Sequence, residues 1–157
     1  MASEQLIDEA FAARIADSIH GLHLHIPMAV IRKLDDLEAA AFVGLAVFLS
    51  GCCKDGDGWF FFEQEKEAEP DSPSMFRRLG SWRHALGLGK DAQQRARRKL
   101  EKLALLESLP SQRQRNLGNG SFVSSQSAFI FEQPRGAPPR LHYRIDRVRY
   151  VKWLGSV

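Results

Sequence analysis

Cysteine is almost missing from this chain. Cys52 and Cys53 are the only two among 157 residues and they are neighbours, so no disulfide framework and no zinc-finger spacing is available. A reduced, cytoplasmic setting is expected. Long hydrophobic runs are missing too. The most apolar stretch, AAAFVGLAVFLSGCC, has 15 residues, short of the roughly 20 that span a bilayer. It reads as a buried core helix, and no membrane partner is expected. The N-terminus, MASEQLIDEAFAARIADSIH, contains acids and no unbroken apolar segment, so no secretory signal is expected.

Catalytic patterns are also lacking. Neither GxxxxGK[ST] nor GxGxxG occurs, and GLGK by itself is a turn. His20, His23 and His25 are too few for a metal site, with no cysteine or carboxylate at ligand spacing. Ser81, His84 and the acidic run before them do not make a triad, because nothing orders a nucleophile beside a base. No enzyme activity, cofactor or metal is expected.

What is present is an uneven distribution of charge. The net charge is +3, yet residues 1–73 hold fourteen acids against five bases and residues 74–157 hold five acids against seventeen bases. A half-chain this basic points to a polyanionic partner, and an acidic half opposes non-specific binding.

Periodicity then organises the chain. Leu6, Ile7, Ala10, Phe11, Ile15 and Ile19 share one face of a helix over 4–19, suited to packing on its own domain or to pairing with the same helix of a second subunit. Residues 1–22 are therefore read as an N-terminal helix and dimerisation arm, and 23–157 as the main domain. GLHLHIP is a short extended segment ended by Pro27, and residues 28–34 make a brief helical turn. A second helix from about Asp36 to Leu49, closing near Gly51, is apolar nearly all round and should be the buried centrepiece. WFFFEQ at 59–64 is an aromatic strand, and an acidic loop spans 63–74. Ser72 or Ser74 caps the next helix, with Pro73 in its first turn. That helix, 75–86, places Met75, Phe76, Leu79, Trp82 and Leu86 on one face.

Gly87 and Gly89 turn the chain around Leu88, which is free to plug the core. A helix from Lys90 to about Ala104 follows, carrying six positive charges. LLESLPS, SFVSSQSAFIFEQ and RLHYRID read as strands, PRGAPP as a rigid turn and RVRYVKWL as a closing helix. The expected class is α+β: a winged helix-turn-helix with an additional N-terminal helix and an extended β-wing over 107–145. In that arrangement the second helix of the pair enters the major groove of DNA.

The basic helix meets the requirements of that role. Ala92, Ala96, Leu100 and Leu103 form an apolar back, and the opposite face is centred on Gln94, Arg98 and Glu101. Gln and Arg match adenine and guanine edges bidentately, so Gln94 and Arg98 are the candidates for base readout. Lys90, Arg95, Arg97 and Lys102 suit the phosphate backbone, with Arg77, Arg78 and Arg83 on the preceding helix holding flanking phosphates. Arg113, Arg115, Arg135, Arg140 and Arg144 are the candidate cations of the wing.

The stretch WFFFEQ … LGLGKDAQQRARRKLEKLALLE … PPRLHYRID resembles the winged-helix domains of phage- and plasmid-associated replication and regulatory proteins. Trp59 and Phe60, Gly87 to Leu106, and Pro139 to Asp146 occupy the positions that carry the likeness, which extends over about residues 24–154. The resemblance implies sequence-specific binding of double-stranded DNA as a homodimer, in transcription or replication control. Two departures stand out. Ala104 replaces the usual glycine before the first wing strand, so that turn is expected to stay near helical geometry, and NLGNGSFVSSQS has no counterpart. Two other partner types stay open: an acidic protein docked on the basic face, as for an assembly or inhibitory factor of a mobile element, and single-stranded nucleic acid stacked on Phe60, Phe61, Phe62, Phe129 and Phe131.

Overall fold

The computed structural model describes residues 23–53, 58–111 and 140–156, together with the single position Glu9. The expected helix over 4–19, the SFVSSQSAFIFEQ strand and the PRGAPP turn lie outside the described residues, as do Arg113, Arg115 and Arg135. Among the described residues the chain runs α1 (Met28–Leu34), α2 (Leu37–Cys52), β1 (Phe60–Phe61), α3 (Met75–Leu79), α4 (Trp82–Leu86), α5 (Lys90–Lys102), β2 (Leu106–Pro110), β3 (Leu141–Ile145) and α6 (Arg147–Gly155). It is a mixed α+β protein, and no described helix is long and apolar enough to cross a membrane.

Helix α2 is the centre, as its all-round apolarity predicts. Asp36 starts it, with Oδ1 accepting from the Ala39 N–H at 3.0 Å. Ala39, Phe42, Val43, Leu45, Ala46 and Leu49 are all buried. The alanines allow close approach, and α5 is the helix that packs most extensively on α2. On the other side of the core, β3 lies between β1 and β2, antiparallel to both. Tyr143 pairs with Phe60 in this sheet and points inward, where its ring meets Phe42, Phe60 and Trp82. The strand expected over 59–64 is thus only two residues long. Beyond Phe61 its backbone turns to other partners: the carbonyls of Glu63 and Gln64 accept from the N–H groups of Trp82 and Arg83.

The helix expected over 75–86 is broken in two. Gly80, at φ 82° and ψ −73°, ends α3. Ser81 then caps α4 by accepting from the His84 N–H at 3.1 Å. Gly80 itself is the local signal of weakness in this helix, and the acidic segment packs so closely against it that a Cβ would lie 2.6 Å from Ala68 N. Nor does Pro73 sit in the first turn: α3 begins at Met75, and Ser72 Oγ accepts from the Ser74 N–H one step earlier.

The exit from α5 departs from expectation in a way that can be measured. Ala104 is left-handed, with φ 55°, and not near helical geometry. Its N–H donates to Glu101 O at 2.9 Å and that of Leu105 donates to Leu100 O at 3.0 Å. These two bonds form a Schellman motif, and the Leu100 and Leu105 side chains on its two sides are both buried in the core. An L-residue in this conformation costs about 1–2 kcal/mol, partly offset by the greater backbone entropy that glycine loses on folding. Ala104→Gly is therefore expected to stabilise the protein by about 0.5–1 kcal/mol and to raise its thermal midpoint by a few degrees. A lowered midpoint would remove the strain assigned to this turn.

Candidate nucleic-acid interface

Helix α5 spans 13 residues, and the anchoring of its inner face decides what its outer face presents. The buried line is Gln93, Ala96 and Leu100. Of the expected apolar back, Ala96 and Leu100 are correctly placed. Ala92 is only half-buried, and Leu103 is 43% exposed because the helix has ended by then. Gln93 takes the remaining place, a role that composition could not reveal. Its Nε2 donates to Leu88 O at 2.8 Å and to Gln64 O at 3.0 Å. A buried amide is stable there because its donors are satisfied. These bonds fix the start of α5 to the Gly87–Leu88–Gly89 turn and to the chain after β1. Leu88 is buried, as the plug reading requires, and Gly87 closes α4 in the left-handed region at φ 72°.

This rotation leaves Lys90, Asp91, Gln94, Arg95, Arg98 and Lys102 exposed. The two readout candidates, Gln94 and Arg98, stand one turn apart on the outer face. The cations around them divide into two groups. Arg95 meets Glu38 at 3.4 Å, and Arg83 and Lys90 both meet Glu65, at 3.3 and 3.7 Å. Arg97 is half-buried beside Glu101 at 3.9 Å, and Ser108 Oγ donates to that same carboxylate. By contrast, Arg77, Arg98 and Lys102 are exposed and Arg78 is half-buried, and none of these four meets a carboxylate among the described residues.

Lys99 has a structural role that the sequence did not single out. Its Nζ donates to Leu34 O at 2.7 Å and lies 3.4 Å from Asp36 Oδ2, joining α5 to the α1–α2 corner. The Ala39 N–H bond holds the Asp36 carboxyl below the ordinary aspartate range, opposed by burial and assisted by Lys99.

At the base of the β2–β3 connection, Ser111 N–H donates to Arg140 O at 2.7 Å and Ser111 Oγ accepts from Arg140 N–H at 2.8 Å. Arg140 then lies over the Phe61 ring, 4.8 Å from its centre. Arg144 is held more firmly, at 2.7 Å from Glu107 and 4.8 Å from the centre of the Trp59 ring. Of the cations expected on a wing, two are described: Arg140 is the more available and Arg144 is occupied within the sheet.

Between Arg140 and the start of α5 lies an open cleft of about 560 Å³, lined by Phe61, Gln64, Lys66, Lys90, Arg140 and Tyr143 among others. A smaller recess of about 180 Å³ continues past Gln64 and Lys90 to Gln94 and Arg97. Phe60 and Phe62 are buried at 4% and 2% exposure, so the aromatic strand offers no row of open rings to single-stranded bases. Among the described residues no group of three or more His, Cys, Asp or Glu could hold a metal ion. Compared with known proteins, the chain matches no family model, no curated protein and no solved structure.

Proposed function

We propose that this protein is a winged-helix DNA-binding protein of the cytoplasm. On this reading α5 enters the major groove, Gln94 and Arg98 read base edges, and the β2–β3 connection is a wing on the backbone. The observation that carries the reading is the two-sidedness of α5. Gln93, Ala96 and Leu100 fasten it to the core while Gln94, Arg98 and Lys102 face outward, behind a glycine turn and beside an antiparallel hairpin. A helix in the major groove needs a rigid seat on one side and long donor side chains on the other. Lys90, Arg95, Arg77 and Arg78 supply backbone contacts. The resemblance adds a setting, transcription or replication control in a mobile element as a homodimer, with the dimer open to a mass determination by light scattering.

The test is fluorescence anisotropy of a labelled mixed-sequence duplex at several salt concentrations. About five to eight phosphate contacts give a log–log slope of roughly −4.5 to −7. The Gln94→Ala/Arg98→Ala variant, its fold checked by circular dichroism, is expected to bind this duplex severalfold more weakly and with a salt slope less steep by about one, since it loses one positive charge from the outer face of α5. Absence of binding at low salt would overturn the DNA reading. It would favour an acidic protein as the partner, a second reading supported by the carboxylates that Arg83, Lys90 and Arg95 already pair with inside the chain.

A further inference from the structure

Glu65 occupies a particular place in this interface. It follows β1 in the acidic segment and lines the cleft between Arg140 and the start of α5. Its Oε1 is 3.3 Å from Arg83 Nη1 and its Oε2 is 3.7 Å from Lys90 Nζ. The two cations belong to α4 and α5, on opposite sides of the Gly87–Leu88–Gly89 turn, so one carboxylate bridges both helices of the pair. Two oxygens of one anion held between an arginine and a lysine at a helix start is the arrangement a backbone phosphate would adopt there. The contact is half-exposed on both sides, with side-chain exposures of 62% and 63% for the cations and 44% for Glu65. Solvent therefore screens it, and a competing anion can replace it.

We infer that Glu65 is an internal substitute for phosphate, displaced when a polyanion binds, and that it lowers affinity for non-specific duplex. The inference rests on the DNA reading above and adds a regulatory element to the same surface. The displacement has two consequences. Arg83 and Lys90 must exchange the carboxylate for phosphate, and the Glu65 charge must remain near the bound backbone or swing away from it. Both oppose binding that depends on charge alone, whereas base contacts from Gln94 and Arg98 use side chains that Glu65 does not hold. Glu65 thus raises the ratio of specific to non-specific affinity.

Three proteins test this by anisotropy on the mixed-sequence duplex: wild type, Glu65→Gln, and Glu69→Gln as a control. Glu69 belongs to the same acidic segment and, among the described residues, forms an ion pair only with Lys66, at 3.7 Å; both variants change the net charge equally. Glu65→Gln is expected to bind about three- to tenfold more tightly than wild type at 50 mM salt, with a steeper salt dependence and a gap that closes near 300 mM as screening takes over. Glu69→Gln is expected to stay within about twofold of wild type. Wild-type binding with no gain in Glu65→Gln, or an equal gain in both variants, would overturn the inference while leaving the DNA reading standing. Failure of all three proteins to bind at 50 mM salt would overturn both.

Discussion

Trp82→Ala is expected to cost about 3–5 kcal/mol, the range for truncating a large aromatic in a packed core. Trp82 is fully buried at 0% exposure, and the four rings around it come from three separate parts of the chain. Phe42 of α2 stacks on it with centroids 3.9 Å apart. Phe62, from the chain after β1, and Tyr143 of β3 meet it edge-on at 5.1 and 5.7 Å. Phe60 of β1 closes the cluster at 6.4 Å. The cavity cannot close by a local shift, because Phe42, Phe60 and Tyr143 are each fixed in a helix or strand. A domain of ordinary stability holds about 5–15 kcal/mol, so the variant retains little. In urea, followed by far-UV circular dichroism, the midpoint should fall by roughly 2 M, given a slope of ~1–3 kcal/mol/M. A loss below ~1 kcal/mol would mean that the cluster is not the centre of the core.

Gly80→Ala is expected to cost about 3 kcal/mol or more, although it adds a single methyl group. The backbone at Gly80 has φ 82° and ψ −73°, a region that L-residues enter only under strain of about 1–3 kcal/mol. The added Cβ would also lie 2.6 Å from Ala68 N and 2.8 Å from both Glu67 C and Lys66 O. These are backbone atoms, unable to swing aside as a side chain would. They belong to a segment stitched to the helix pair, with Glu69 N–H donating to Arg77 O at 2.8 Å and Trp82 N–H to Glu63 O at 3.0 Å. Relief of the clash must move the acidic segment away from α3 and α4. The same urea titration should show a midpoint lower by about 1.5 M. An unchanged midpoint would show that residues 66–68 are not held against Gly80.

Much of this architecture is legible in the sequence, for local reasons. An α2 that is apolar in every direction has nowhere to go but the interior. A Gly–Leu–Gly turn followed by a 3.6-residue pattern announces a new helix, and RLHYRID alternates as a strand that buries Tyr143 and Ile145 must. Gln94 and Arg98 are exposed as the helical wheel predicts, because the wheel needs only the position of Ala96 and Leu100. Less legible was Gln93, whose burial depends on carbonyls at Leu88 and Gln64 that no periodic pattern displays. The left-handed Ala104 runs against alanine's own backbone preference, so the glycine usual at that place in the resembling domains is the better guide to this turn than the residue itself.

The sequence by itself determined that α2, α5 and α6 are helices and that β2 and β3 are strands, that α2 is apolar nearly all round, and that positive charge gathers in the second half. Tertiary structure alone decided which of those charges remain available. Glu38 and Arg95 are separated by 57 residues, and Glu65 and Arg83 by 18, yet their pairing sets aside part of the basic surface and leaves Arg98 and Lys102 open. Helix period is a property of neighbouring residues, so it can be read along the chain. Electrostatic pairing depends on distances across the fold, and those exist only once α2, the acidic segment and α5 have packed together.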